Sequence, residues 1–290
     1  MSYDLFIRSP RITPESFNAY FTERPLYEVS GEQAFYQNEE SGVYFSFEID
    51  EGSAEDEGSA SSVAFNIAYF RPHVFALEAE PELKSFVEQF SCEIEDPQNE
   101  GMGEGPYSSE GFLQGWNAGN EFAIRSILGM NEMKEPPPCM AGVKLEQIWR
   151  WNVQKAQREE EIQEDIFLPR IILMEVDGVL GSMCVWPDAI PTMIPDVDFL
   201  LIPRKEQAPR KFLRKPKEDV CILARAEYPA FFREYEIDLD GMKVVKLPAP
   251  QSPEKVKAFV RGLPSFQGNW EGLAFDSVLN QELVEKYLKP

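Results

Sequence analysis

One histidine and four cysteines are the obvious raw material for chemistry in this chain, beside fifty carboxylates. Zinc sites gather three or four His, Cys or carboxylate ligands. His73 has no second histidine to pair with, and it follows Pro72 at an expected helix start, where packing or capping is its ordinary work. Cys92, Cys139, Cys184 and Cys221 are far apart and share no metal-type spacing. They read as reduced thiols, some of them core fillers. Residues 50–56 miss the calcium-loop pattern, which needs a glycine sixth and a glutamate twelfth. No Gly-x-Ser-x-Gly occurs, and the imidazole lies far in sequence from any promising serine. Apolar or acidic surroundings raise a thiol pKa, so an activated cysteine is not expected either. Gly101-x-Gly103-x-Gly105 sits in an acidic loop without the preceding strand that a phosphate-binding turn needs. A glycosidase requires only two carboxylates, but so acidic a chain always offers pairs. The expectation is a protein with no catalytic residue, metal or cofactor.

What remains is charge. The chain has 28 bases against 50 acids, a formal net charge of −22. Residues 1–141 hold 26 acids and 7 bases, net −19, while residues 142–290 are nearly balanced at −3. Phosphate and anionic lipid surfaces would be repelled, which speaks against nucleic acid or a membrane as partner. A basic protein would be attracted and its capture hastened. The densest point is residues 48–57, with six acids and no base. It follows the strand-like run Val43-Tyr44-Phe45-Ser46-Phe47 and opens a small, flexible tract. The candidate partner-binding residues are Glu39, Glu40, Glu48, Asp50, Glu51, Glu55, Asp56 and Glu57. Because ordering a flexible loop costs entropy, the strand at 43–49 and the turn at 38–42 are the better places for a rigid binding edge. The opposite charge gathers at residues 204–217, seven bases with Glu206 as the one acid. That stretch is expected to be an exposed loop.

The elements that must position these residues follow from local pattern. Thr13-Pro14 starts a helix, with Thr13 as cap, and Phe17, Tyr20 and Phe21 form its apolar face. Strands are expected near residues 3–8, 27–29, 33–37, 43–49 and 63–70. A helix to about Phe90 buries Leu83, Phe86, Val87 and Phe90, kinked or split at Pro81. An edge strand is expected at 92–95, loop at 96–109, then a helix at about 110–128. Gly115 and Gly119 lie four apart in that helix, a spacing that reads as close helix packing. Trp116, Asn117 and Asn120 share the region. Another helix is expected at about 145–163. Asp177-Gly178 and Asp240-Gly241 are hairpin turns. The predicted fold class is α+β: an antiparallel sheet packed against helices in an acidic domain, 1–138, and a second, smaller α+β domain, 139–290. The boundary is placed between 138 and 168. No run of about 18 apolar residues suggests a membrane span, and residues 1–4 do not resemble a secretory signal. The expected location is cytoplasmic.

Several stretches carry a resemblance. They are Tyr3-Asp4-Leu5-Phe6, Arg24-Pro25-Leu26-Tyr27, the run Tyr36-Gln37-Asn38-Glu39-Glu40-Ser41-Gly42-Val43-Tyr44-Phe45-Ser46-Phe47, Asn66-Ile67-Ala68-Tyr69-Phe70-Arg71-Pro72, Glu95-Asp96-Pro97-Gln98, Gly115-Trp116-Asn117-Ala118-Gly119-Asn120 and Val185-Trp186-Pro187-Asp188. Together they resemble bacterial proteins found beside polymorphic toxins, notably immunity proteins of type VI secretion effectors with nuclease domains. The resemblance implies a cytoplasmic antitoxin that binds a cognate toxin domain and blocks its active site. Its motifs are structural, and no site residue carries over. A DNA-cleaving nuclease presents a positive groove, which an acidic partner can fill as a nucleic-acid mimic. An effector-loading chaperone or adaptor is the alternative, and a carboxylate-only hydrolase the third reading.

Overall fold

The computed structural model describes residues 1–50, 62–130, 135–209 and 218–288. No described helix is long and apolar enough to cross a membrane. The fold is α+β, in two compact units. The first combines Met1–Leu145 with Phe275–Pro290, and the second is Glu146–Ala274. The expected second domain, however, ran on to residue 290, whereas the last segment belongs to the first unit.

The first unit is built on a seven-stranded antiparallel sheet in the order β2-β3-β4-β5-β1-β6-β7. Its strands are β1 (Ser2–Arg8), β2 (Tyr27–Ser30), β3 (Gln33–Asn38), β4 (Val43–Asp50), β5 (Ser62–Ala68), β6 (Glu93–Glu95) and β7 (Glu104–Pro106). Strict alternation decides which side chains meet the core. Val43, Phe45, Phe47 and Ile49 of β4, Val63, Phe65 and Ile67 of β5, and Tyr3, Leu5 and Ile7 of β1 are all buried. Three helices dock on that face: α1 (Pro14–Thr22), α2 (Val74–Phe90) and α3 (Ser109–Gly129). Phe21 and Phe86 close on Phe47, and Phe112 on Phe65 and Tyr3. Thr13 caps α1 as expected: its hydroxyl accepts from Ser16 N–H at 3.2 Å, and Ser16 returns the bond to Thr13 N–H. Pro81 does not divide α2, which runs unbroken from Val74 to Phe90.

Two expectations change in this region. The 92–95 strand is not at the edge, because β7 pairs outside it. β7 comes from the glycine-rich stretch expected to be loop. Buried Asp96 gathers that turn, accepting from the backbone N–H groups of Gln98, Asn99 and Met102 and from the Tyr3 hydroxyl at 2.7 Å. Gly103, at φ +68°, supplies the backbone conformation that lets the chain return as a strand.

The last segment closes the unit. β17 (Leu279–Asn280) pairs in parallel with β8 (Cys139–Met140), and α7 (Gln281–Tyr287) packs Val284 beside Ile124 of α3. His73 takes part in this closure: its backbone N–H donates to Asn280 Oδ1 at 2.9 Å, and its Nδ1 meets Asn280 Nδ2 at 2.8 Å.

The second unit begins within α4 (Gly142–Val153) and continues through α5 (Lys155–Glu161); the two are distinct helices rather than the single one expected. Its main sheet has the order β13-β12-β10-β9-β16, from β9 (Ile171–Val176), β10 (Val179–Val185), β12 (Phe199–Arg204), β13 (Asp219–Ala224) and β16 (Trp270–Leu273). A smaller sheet joins β11 (Met193–Pro195), β15 (Met242–Lys246) and β14 (Glu236–Leu239). The turns at Asp177-Gly178 and Asp240-Gly241 have positive φ at both residues, the backbone that tight hairpins demand. α6 (Glu254–Gly262) completes the unit.

Candidate functional site

The side of the first sheet opposite the helices is the candidate site. Strand register arranges its outward residues in rows across the strands. Gln33, Glu48, Ala64, Phe6, Glu95 and Glu104 form one row. Glu28, Phe35, Ser46, Asn66 and Asp4 form the next. On the other side run Asp50, Ser62, Arg8 and Glu93. Among the described strand residues facing this way, Arg8 is the one base, and it is paired with Glu95. The surface is thus a broad acidic face with small or uncharged residues between the carboxylates. Phe6 stands in its middle, 38% exposed. A shallow cavity of about 360 Å³ lies there, lined by Phe6, Glu32, Glu48, Asp50, Ser62 and Ala64.

The expected partner-binding residues are divided by this arrangement. Glu48 and Asp50 lie on the open face as exposed residues. Glu39 and Glu40 belong to the β3–β4 turn, at the other end of β4, roughly 25 Å away for an eight-residue strand. Glu51, Glu55, Asp56 and Glu57 lie outside the described residues. The expected residues that are described thus fall at two ends of β4. Glu28, Glu93, Glu95, Glu104 and Asp4 join Glu48 and Asp50 instead. Sequence reading by local density missed them, because they are dispersed along the chain. Their signal was present as alternation at i, i+2 within each strand.

The β3–β4 turn is held from beneath by a buried carboxylate. Oε1 of Glu78, 5% exposed on α2, accepts from Tyr36 Oη at 2.8 Å, Asn38 Nδ2 at 2.7 Å and Ser41 Oγ at 2.9 Å. This explains Tyr36, Asn38 and Ser41 within the Tyr36–Gly42 motif as anchors of a turn. Burial and the Glu78 carboxylate raise the Tyr36 hydroxyl pKa far above its ordinary value, so it is a permanent donor. At the neighbouring corner Tyr44 Oη donates to Asp276 Oδ2 at 3.1 Å, and Arg71 donates to Tyr44 Oη through Nε at 3.0 Å and Nη2 at 2.6 Å.

A second concavity, about 750 Å³, opens at the Met1 end of β1 against α3. Ser2, Asp4, Tyr69, Gln98, Glu100, Phe122 and Arg125 are among its walls. Gly115 and Gly119 have a packing explanation. A Cβ on Gly115 would stand 2.3 Å from Tyr3 Oη, and one on Gly119 would stand 2.1 Å from Tyr69 Oη. The spacing brings α3 onto the two tyrosines, as the sequence suggested. Trp116 and Asn120 are buried; Asn120 Oδ1 accepts from Phe70 N–H at 2.7 Å and its Nδ2 donates to Arg71 O, while Asn117 is exposed.

Cys92, Cys184 and Cys221 are buried, Cys139 is half-buried, and none forms a disulfide. Burial pushes the Cys92 thiol up to about 12 and the Cys221 thiol to about 11. Among the described residues no His, Cys, Asp or Glu side chains gather as a metal-ligand set. The basic stretch 204–217 does not behave as one exposed loop. Arg204 is 1% exposed in β12, paired with both oxygens of Asp219 and donating through Nη1 to Val260 O at 2.7 Å and Leu263 O at 2.8 Å. Residues 210–217 lie outside the described ones. Comparison with protein-family models, with curated proteins and with solved structures gives no match for this chain.

Proposed function

We propose that the protein is an immunity protein, an antitoxin that binds and inhibits a secreted toxin, most concretely a basic DNA-cleaving nuclease. The observation that carries this reading is the acidic open face. The antiparallel sheet holds its carboxylates on a hydrogen-bonded backbone, so their spacing costs little entropy to maintain on binding. Such a field steers a basic protein toward the sheet and speeds encounter. Once docked, the sheet would cover the positive groove through which the nuclease holds phosphate. Affinity would come from apolar groups at the centre of the contact, and Phe6 is placed for that role. The resemblance of the Tyr36–Phe47 and neighbouring stretches to immunity proteins points the same way.

The effector-loading alternative has one observation in its favour, the concavity beside α3, where Met1 and Phe122 expose apolar surface.

The test is co-expression with a basic DNA-cleaving nuclease domain sought in neighbouring reading frames, for the parent chain and for Glu48→Lys, Asp50→Lys and Glu93→Lys combined. Protection of cells by the parent chain is expected, with association slowed roughly 10- to 100-fold in the triple variant and its salt dependence flattened. Unchanged association and salt dependence would remove the open face from the mechanism. Failure of the parent chain to protect would remove the antitoxin reading itself.

A further inference from the structure

We propose that the trough along β5 on the open face is an arginine pocket, which takes one guanidinium of the basic partner between Phe6 and the carboxylates of β4. The proposal deepens the antitoxin reading, and it rests on that reading for the partner being a basic protein. The trough follows from strand register. Ala64 of β5 sits between Glu48 of β4 and Phe6 of β1, and Ser62 sits between Asp50 and Arg8. Ser62 and Ala64 have short side chains, so the floor is low, while the walls stand two strand spacings apart, roughly 10 Å. The space enclosed is the cavity of about 360 Å³ beside Phe6, with Glu32 of the β2–β3 turn as a third acid. Glu32 is tied to the neighbouring strand, since its carbonyl accepts from Ile49 N–H at 2.9 Å.

Charge selects the class of occupant. Glu32, Glu48 and Asp50 line the space, and no base does among the described residues. The bases that follow Phe6 in the chain turn elsewhere. Arg8 is paired with Glu95 of β6 at 2.5 Å, and Arg11 donates through Nη1 to Ser91 Oγ at 3.0 Å. An anion would be repelled, and an apolar side chain would strip water from the carboxylates without replacing its bonds. Phe6 then selects among cations. It is 38% exposed and forms one wall. A lone exposed phenylalanine is ordinary, but this one stands across a floor of small residues from the carboxylates. A guanidinium is flat, stacks on an aromatic ring and donates in its plane to a carboxylate, whereas an ammonium is a compact, strongly hydrated point charge. The guanidinium is the cation that uses both walls together.

The probes are fluorescent hexa-arginine and hexa-lysine, equal in length and charge, titrated by anisotropy against the full chain. Hexa-arginine is expected to bind roughly tenfold more tightly than hexa-lysine. Phe6→Leu, which keeps an apolar side chain but removes the ring, should shrink that preference to within about twofold and leave hexa-lysine binding as it was. Ala64→Val, which raises the floor with a residue that suits a strand, should do the same. Both positions lie on the open side of the sheet, so neither variant should move the melting temperature by more than a few degrees. Glu48→Gln should weaken hexa-arginine roughly three- to fivefold, while Glu39→Gln, at the far end of β4, should leave the preference intact. Equal binding of the two peptides by the parent chain, or a preference that survives both Phe6→Leu and Ala64→Val, would overturn the proposal. If the preference is absent while the open-face triple variant still slows toxin capture, the trough is wrong and the antitoxin reading stands. If the triple variant captures the toxin as fast as the parent chain, the open-face reading is lost, and the trough falls with it.

Discussion

The two larger sheets of this protein solve the same problem in opposite ways. In the first, β4 reads Val43-Tyr44-Phe45-Ser46-Phe47-Glu48-Ile49-Asp50, and its burial alternates with it: one side meets helices, the other water. In the second, β12 reads Phe199-Leu200-Leu201-Ile202-Pro203-Arg204, and β9 and β10 are similarly continuous. One side of that sheet buries Leu173, Cys184, Leu200 and Ile202. The other buries Met174, Val176, Met183 and Leu201, with half-buried Ile172, Val185 and Phe199 around them. An alternating sheet can spare a whole face for a partner; a sheet apolar on both sides spends both on stability.

Each unit has a buried charge whose removal tests how much of its order depends on it. Arg204→Ala would leave Asp219 without its partner and the Val260 and Leu263 carbonyls without a donor. A loss of about 3–5 kcal/mol is expected in urea unfolding, with amide exchange rising first along β12 and β13. Glu78→Ala, which orphans Tyr36, Asn38 and Ser41, should cost about 3 kcal/mol, seen at β3 and β4 instead. If each substitution loosened both units equally, the comparison would fail.

The faces themselves can be set against each other. Met183→Ala, inside the second sheet's apolar cluster, should lower stability by about 2–5 kcal/mol. Glu48→Val, on the first sheet's open face, should change it by no more than about 0.5 kcal/mol. A large loss from the second substitution would mean that the acidic face is part of the fold rather than free for a partner. A smaller effect is expected at α3. Gly119→Ala drives a methyl into Tyr69 and should cost about 1–3 kcal/mol, whereas Gly129→Ala, with nothing within 4 Å, should be near neutral. Equal effects would show that the close approach of α3 is not needed.

The smallest difference concerns acid. Hydrogen bonds from Arg204 hold the Asp219 carboxyl below its ordinary 3.8, and Ser265 adds to this. Its stabilisation is therefore complete above that value and is lost as pH falls through the lower, folded-state value. Asp219→Asn should flatten this acid limb in urea melts of the second unit and leave exchange at β4 unchanged.

Much of the first unit was legible because each local signal agreed with the fold. Alternation fixed β1, β4 and β5, Thr13-Pro14 fixed α1, and the two Asp-Gly pairs fixed their turns. β7 was hidden because Gly103 and Pro106 argue locally for loop, while the Asp96 bonds that hold the turn are not visible in strand propensity and the Tyr3 hydroxyl that joins them comes from β1. Pro81 misled for a related reason: packing on both sides of it outweighs one missing backbone bond. The site was legible as charge and illegible as geometry. Glu28, Glu48, Glu93 and Asp4 come together only through strand register, which residue density along the chain cannot express. Arg204 shows the converse, a base among bases that the fold withdraws into its core.

The return of residues 275–288 to the first unit has a consequence for synthesis. On the ribosome, the strands bearing the acidic face are all made before the second unit, yet the segment that covers Ile124 and meets His73 emerges after it. The inserted unit can fold while its host still waits for α7, since domains generally fold as they are completed. During that interval Ile124 and its neighbours remain uncovered, so the nascent chain depends on its last helix for protection from aggregation and proteolysis.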